Sequence, residues 1–72
     1  MVSAPVKLSE LLTPHEQDIV RFLAAGRELK EMSEDLHLTY DTIKTYLFRM
    51  RRKSGCRNKV ELAVRWVKEQ GL

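Results

Sequence analysis

The fold of this chain is decided by residues 28–54, ELKEMSEDLHLTYDTIKTYLFRMRRKS. Leu29, Met32 and Leu36 recur at spacings of three and four residues, which is the period of one apolar face on a helix. A longer helical pattern follows over residues 40–54. Because only a short connector separates the two patterns, the helices must meet at a sharp corner. The sequence therefore predicts a helix-turn-helix arrangement.

The connector is residues 36–39, LHLT, and three of its members have a predicted part in the corner. His37 stands where a glycine would be most comfortable, and we expect it to adopt a left-handed backbone conformation, which His tolerates better than most residues. Leu38 can then enter the core. Thr39 can cap the next helix, because its side chain accepts a hydrogen bond from a first-turn N–H.

Two further helices are predicted on either side of this unit. Thr13 is followed by Pro14 and Glu16, the pattern of an N-cap, a first-turn proline and a capping box. Apolar residues continue at helical spacing to residue 25, and Gly26 ends that helix. Asn58 is predicted to cap a last helix, which runs to about residue 70 and stops at a glycine.

Length and composition limit the chain to one small domain. With 72 residues it can form a single, thin core. We expect an all-α, four-helix domain over residues 12–72, preceded by a flexible leader at residues 1–11. No apolar run approaches the ~20 residues of a membrane span, and the first residues lack the apolar region of a signal peptide. The sequence therefore predicts no membrane association and a cytoplasmic location.

Side chains suited to catalysis or metal binding are scarce. Cys56 is the single cysteine, so it cannot form an internal disulfide, and one cysteine with two distant histidines does not make a zinc site. No glycine-rich loop that could hold phosphates is present, and no nucleophile has a nearby base. We therefore expect that the protein is not an enzyme. We also expect that it binds no cofactor, no metal and no small-molecule substrate.

Charge is distributed very unevenly. Residues 1–43 hold four lysines and arginines against eight acidic residues. Residues 44–59 contain no acidic residue and seven basic ones, which are Lys44, Arg49, Arg51, Arg52, Lys53, Arg57 and Lys59. Such a basic stripe on an otherwise acidic body is typical of a protein that binds a polyanion.

The helix predicted at residues 40–54 has two different sides. A projection at about 100° per residue places Ile43, Leu47, Met50 and Ser54 on one side, with Tyr46 at its margin, and this side should face the core. The opposite side mixes cations with a threonine and a phenylalanine. Lysine and arginine donate to guanine in the DNA major groove, while threonine and phenylalanine can contact the thymine methyl group. The predicted base contacts are Lys44, Thr45, Phe48, Arg49 and Arg52.

A second group of residues is placed to hold DNA phosphates. Lys53, Arg57 and Lys59 follow the reading side of the helix along the chain. The first-turn amides near Thr39 and Thr42 lie at a helix N-terminus, where anions bind readily. We therefore predict phosphate contacts at Thr39, Thr42, Lys53, Arg57 and Lys59, with double-stranded DNA as the partner.

Five short motifs occur in a fixed order along the chain: LTPHE at residues 12–16, KEM at 30–32, TYDTIK at 39–44, KSGCRN at 53–58 and ELA at 61–63. They are similar to L-T-x-R-E, K-E-I, S-x-x-T-V-K, K-L-G-V-x-N and E-A/L-V/A of the LuxR-type (GerE-like) helix-turn-helix domain, which the chain resembles over residues 12–72. The resemblance implies a DNA-binding transcription regulator, in which Lys44, Thr45 and Phe48 contact bases and Thr42, Lys53 and Lys59 hold phosphates.

Some residues depart from the family pattern. Glu28 replaces a small polar cap, Ser33 an alanine, His37 a glycine, Tyr46 a histidine and Ser54 a leucine. In addition, Phe48 occupies a position where polar residues are common. These departures leave the fold in place and leave the base preference open.

The resemblance also implies a homodimer formed through the last helix. On that helix Val60, Val64 and Val67 form an apolar patch that a monomer would leave partly exposed, and a domain with a thin core would gain by covering it. The two recognition helices would then enter successive major grooves about 34 Å apart.

One alternative from another functional class remains open. The same helical scaffold could serve as a protein-interaction adaptor that binds another regulator or RNA polymerase through Phe48, since aromatic residues and arginine dominate protein-binding hot spots. A structural explanation is also open, in which the cations merely solvate the helix and Phe48 packs beneath a neighbouring loop or against a second protein. The sequence further leaves open whether the domain stands alone or is part of a longer regulator.

Overall fold

The computed structural model describes residues 6–71. Within that range the chain forms helices joined by short irregular segments, and it contains no strands. Five helices follow one another: α1 (Leu8–Leu11), α2 (Pro14–Ala24), α3 (Leu29–Leu36), α4 (Tyr40–Ser54) and α5 (Lys59–Gln70). The all-α prediction is confirmed, and α2 to α5 are the four predicted helices. None of the helices in this range is both long enough and apolar enough to cross a membrane.

The short helix α1 differs from the sequence prediction. Residues 8–11 were expected to belong to a flexible leader, but they are helical and Leu8 is fully buried. The Leu8 N–H donates a hydrogen bond of 2.6 Å to Oε1 of Glu69 near the end of α5. This contact orders a segment whose local sequence gives no strong helix signal. Residues 1–5 of the predicted leader lie outside the described residues.

The helices begin at the predicted caps. Thr13 and Glu16 form the capping box of α2, in which Thr13 N–H donates to Glu16 Oε1 at 2.9 Å and Glu16 N–H donates to Thr13 Oγ1 at 3.3 Å. Asn58 caps α5 through Oδ1, which accepts from the Glu61 N–H at 2.9 Å. These hydrogen bonds satisfy first-turn amides with side chains only three residues away. The start of each helix is therefore predictable from the local sequence.

The corner between α3 and α4 forms as the sequence predicts. His37 has φ 56° and ψ 40°, which is the expected left-handed conformation. The Leu38 N–H donates to the Ser33 carbonyl at 3.1 Å, and the Ser33 hydroxyl donates to the Leu38 carbonyl at 2.5 Å. Ser33, which departs from the alanine of the family pattern, thus adds a hydrogen bond to the corner. The half-buried Leu38 packs against the core.

The core lies where α2, α4 and α5 meet, with α3 packed on α4. Ile43, Met50 and Leu47 supply the inner side of α4, as the helical projection predicts. The other fully or nearly fully buried apolar residues are Leu8, Leu12, Ile19, Val20, Met32, Leu62 and Trp66.

Arg65 connects α5 to the end of α4 and to the chain before α1. Its guanidinium donates to Glu69 Oε2 at 2.8 Å, to the Ser54 carbonyl at the end of α4 at 3.0 Å, and to the Val6 carbonyl at 2.6 Å. The hydrogen bond from Arg65 to the Glu69 carboxylate raises the pKa of Arg65. The charged guanidinium therefore fixes the end of α4 against α5 and against the chain before α1.

His37→Gly is expected to stabilise the protein. A side chain in the left-handed region costs about 1–2 kcal/mol, and part of that gain is lost because glycine is more flexible in the unfolded chain. The free energy of unfolding from urea titration should therefore rise by about 1 kcal/mol. His15→Gly, in the first turn of α2, is the matched control and should lower it. Equal destabilisation by both changes would contradict a strained His37.

Candidate nucleic-acid interface

The side of α4 opposite the core forms an exposed surface made of Lys44, Thr45, Phe48, Arg49 and Arg52, here called the outer face. These are the five residues predicted to contact bases, and the structure brings all of them together. Phe48 exposes 53% of its surface. It is therefore not packed beneath a loop of residues 6–71, so that part of the structural explanation is wrong.

The outer face is exposed to solvent because α4 packs against the core through its opposite side. Ile43 and Met50 on the inner side are fully buried, and α4 completes about four turns between its caps. Two shallow, open depressions mark its surface. One is lined by Thr45, Phe48, Arg49, Arg52 and Lys53, and the other by Thr42, Thr45, Tyr46 and Arg49.

Two cations of the outer face lie over aromatic rings one helical turn away. The Arg52 guanidinium is 5.7 Å from the centre of the Phe48 ring, and the Lys44 ammonium is 5.5 Å from the centre of the Tyr40 ring. Residues four apart share one side of a helix, so each ring can restrict the motion of its cation. Tyr40 is not among the predicted site residues, although its spacing of four from Lys44 predicts that the two side chains are neighbours.

The positive charge of the outer face is free of acidic partners. Within the described range, Lys44, Arg49 and Arg52 form no ion pair. Asp41 is the nearest acid along α4, and it lies in the first turn, where a carboxylate favours the positive end of the helix. The face therefore presents three uncompensated cations to solvent.

Thr39 and Thr42 lie together at the start of α4. Oγ1 of Thr39 accepts a hydrogen bond from the Thr42 N–H at 3.1 Å, and the two hydroxyl oxygens are 2.7 Å apart. The threonines therefore order the first turn of α4. His15 at the start of α2 lies beside the middle of α4, with its ring 6.0 Å from the ring of Tyr46.

Lys53 has an internal partner that the sequence does not predict. Its ammonium lies 2.5 Å from Oε1 of Glu16 and donates to the Leu11 carbonyl at 3.3 Å. The Glu16 side chain is only 3% exposed. Since a buried carboxylate is costly without a partner, Lys53 stabilises Glu16 and ties the last turn of α4 to α2.

Arg57 and Lys59 lie just beyond α4 and differ in their surroundings. Both the backbone N–H and the side chain of Arg57 donate to the Glu61 carboxylate, and these hydrogen bonds lower the pKa of Glu61. Glu61 thus stays ionised and partly neutralises Arg57. Lys59 is exposed and, among residues 6–71, has no acidic partner.

Val60 and Val64 are the exposed part of the valine patch on α5, with 64% and 47% of their surfaces accessible. Val67 is half-buried. Val64 and Val67 line an open apolar depression together with Ala24 and Ala63. The patch lies on α5, and Val60 and Val64 expose its apolar surface to solvent.

No group of histidine, cysteine or acidic side chains within residues 6–71 has an arrangement that could hold a metal ion. Cys56 is a free, half-buried cysteine that packs against the core.

Comparison with known proteins identifies one family. The family described as "Bacterial regulatory proteins, luxR family" matches residues 10–66. The nitrate/nitrite response regulator protein NarL of Escherichia coli strain K12 is 36% identical over 61 residues, which cover 85% of this chain and 28% of NarL. The transcriptional regulatory protein MctR of Rhizobium johnstonii is 34% identical over 64 residues, covering 89% of this chain and 29% of MctR.

A third relative is the probable HTH-type transcriptional regulator GfsR of Streptomyces halstedii, which is 30% identical over 60 residues, or 83% of this chain and 25% of GfsR. The chain thus spans less than a third of the length of these curated relatives. No solved structure gives a significant match to the chain.

Lys53→Met is expected to destabilise the fold. The change leaves the buried Glu16 carboxylate without its cation, which should lower the free energy of unfolding by about 2 kcal/mol. Urea titration followed by circular dichroism measures the loss. Arg52→Met is the matched control, because Arg52 is exposed, and its effect should stay within about 0.5 kcal/mol.

Adding Glu16→Gln to the Lys53→Met variant should restore part of the lost stability, because no buried charge then remains. If Lys53→Met and Arg52→Met lower the free energy of unfolding equally, the ion pair between Lys53 and Glu16 does not stabilise the fold.

Proposed function

The chain belongs to the luxR family of bacterial regulatory proteins, and from this premise we propose that it is a sequence-specific, double-stranded-DNA-binding transcription regulator. In this proposal α4 is the recognition helix and enters the major groove. The observation that carries the proposal is the outer face of α4, where an exposed phenylalanine lies among three cations that form no ion pair within residues 6–71. A bacterial regulator of this kind acts in the cytoplasm, where the DNA is.

The outer face has the chemistry that reading bases requires. Lys44, Arg49 and Arg52 can donate to O6 and N7 of guanine, and the Thr45 methyl group and the Phe48 ring can contact the thymine methyl group. The Phe48 ring also supports the Arg52 guanidinium at 5.7 Å. Phe48 therefore contributes twice, through its own contact and through the orientation of Arg52.

Residues around the outer face would hold the DNA backbone. The first-turn amides at Thr39 and Thr42 and the exposed Lys59 are placed at the positive start of α4 and of α5. Arg57 and Lys53 complete the proposed phosphate contacts. Each of these two is already paired with a carboxylate, so each can offer a phosphate only its remaining N–H donors.

A homodimer would place two copies of α4 on one DNA site. Val60, Val64 and Val67 offer the apolar surface for pairing, and two-fold symmetry would bring the same valines of each copy together. The two recognition helices would then read a pseudo-palindromic site, with half-sites about 34 Å apart.

The second candidate function is an adaptor that binds another regulator or RNA polymerase. The exposure of Phe48, together with an arginine stacked on its ring, is the observation in its favour. An adaptor would bind selected and random duplexes equally poorly at physiological salt. Selection of bound duplexes from a random pool therefore separates the two functions and also reveals half-site symmetry and spacing.

Affinity for a selected duplex is expected to fall steeply with salt. Each phosphate that the protein neutralises contributes about −0.9 to the slope of log K against log salt concentration. Arg52→Glu should weaken binding. Lys7→Glu is the charge-matched control, because Lys7 precedes α1 and belongs neither to the outer face nor to the proposed phosphate contacts, and it should leave affinity nearly unchanged. Fluorescence anisotropy measures both. Binding that does not depend on salt would contradict the proposal.

Phe48→Ala is expected to reduce discrimination at one thymine position more than overall affinity. Losing a methyl contact should cost about 1 kcal/mol of preference for thymine over other bases. Competition among duplexes that differ at a single position provides the measurement, with Ser9→Ala, an exposed position on α1, as the control. An equal loss on every duplex would indicate that Phe48 does not read a base.

Val64→Asp is expected to abolish cooperative binding to a palindromic duplex, because two buried carboxylates would face each other across the symmetric interface. Binding to a duplex with a single half-site should not change, and it serves as the internal control. Analytical ultracentrifugation on the palindromic duplex gives the stoichiometry. A two-to-one complex that survives the substitution would rule out pairing through this patch.

A further inference from the structure

We propose that Tyr40 is a positioning residue for base recognition: its ring holds the Lys44 side chain in place and thereby sharpens the preference of Lys44 for one base pair. This inference rests on the proposed function, because Lys44 is one of the base contacts of that proposal. It assigns the specificity of one contact to a residue that itself need not touch the DNA.

The Tyr40 ring is the main restraint on the Lys44 side chain. The Lys44 ammonium lies 5.5 Å from the centre of the ring, which is within the range of a cation–π interaction. Within residues 6–71 this ammonium forms no ion pair. An unrestrained lysine side chain loses much rotamer freedom when it binds, so a ring that orders it beforehand lowers the cost of the base contact.

Asp41 is the competing partner for Lys44. It precedes Lys44 by three positions, a spacing that permits an ion pair on a helix, and it is exposed. Lys44 nevertheless makes no ion pair with Asp41 and lies over the Tyr40 ring. An aromatic ring restricts an ammonium without neutralising it, whereas a carboxylate would cancel its charge. Tyr40 therefore leaves Lys44 both ordered and charged.

The fold limits where the Tyr40 ring can lie. Tyr40 exposes 49% of its surface, and it lines an open depression together with Leu29 of α3 and Lys59 of α5. Side chains on a helix lean towards its N-terminus, so Lys44 leans back over Tyr40. The direction of Lys44 is thus set by the place where three helices meet.

Arg49 provides an internal comparison on the same face of α4. Arg52 has a ring one turn before it, as Lys44 does, at 5.7 Å. The residue one turn before Arg49 is Thr45, and within residues 6–71 Arg49 lies over no aromatic ring. A change at Tyr40 should therefore alter the base preference of Lys44 and leave that of Arg49 unchanged.

The test measures base preference by competition among duplexes that differ from a selected site at one base pair. Lys44→Met first identifies the base pair that Lys44 reads, and Arg49→Met identifies that of Arg49. Tyr40→Leu should then lower the preference at the Lys44 base pair by about threefold, which corresponds to one exposed cation–π interaction. Its preference at the Arg49 base pair should not change. Tyr40→Phe keeps the ring and should keep both preferences.

The double variant Tyr40→Leu/Lys44→Met separates positioning from direct contact. At the Lys44 base pair it should show the same preference as Lys44→Met alone, because Tyr40 acts through Lys44. A further loss in the double variant would overturn the proposal, since Tyr40 would then read the base itself. An equal loss in Tyr40→Leu and Tyr40→Phe would also overturn it, since the hydroxyl and not the ring would then be responsible. Circular dichroism of each variant establishes that the fold is intact.

Nuclear magnetic resonance of the free protein tests the contact without DNA. The ring should shift the Lys44 methylene resonances to higher field in the unmodified protein and in Tyr40→Phe, and this shift should be absent in Tyr40→Leu. If the unmodified protein binds a selected duplex but lacks the shift, the positioning role is overturned and the regulator function stands. If the shift is present but the protein binds no duplex, the proposed function fails and the positioning role fails with it.

Discussion

Burial of one side of α4 is the constraint on which the rest of this structure depends. Ile43 and Met50 have no accessible surface, and Leu47 between them is nearly as buried. Because a helix cannot turn about its axis without exposing such residues, the opposite side must face solvent. The core thereby fixes the direction in which Lys44 and Phe48 project, although neither side chain contributes to it.

Polar contacts complete this attachment at both ends of α4. At the start, the left-handed His37 and the hydrogen bonds between Ser33 and Leu38 hold the corner with α3. At the end, Lys53 reaches the buried Glu16 of α2. The basic stretch of the sequence thus divides into cations that hold the helix in place and cations that remain available to a polyanion.

The sequence predicts those features that depend on neighbouring residues. The starts of α2 and α5 and the backbone of His37 follow from local hydrogen bonds and local sterics, and the outer face of α4 follows from helical periodicity. Features that depend on residues far apart were not predicted. The partner of Lys53 lies 37 positions away, and Leu8 is ordered by a residue 61 positions away. Base contacts, phosphate contacts and the dimer patch remain predictions.

The three-way contact of Arg65 has a consequence for how the domain connects to polypeptide before it. One planar group holds the carbonyls of Val6 and Ser54 and the carboxylate of Glu69, so the path of the chain before α1 and the final turn of α4 keep a fixed separation. Lysine could not replace arginine here, because a single ammonium cannot reach three acceptors spread along a planar fork. Any pull on the backbone at Val6 is therefore transmitted by the Arg65 side chain to the last turn of α4.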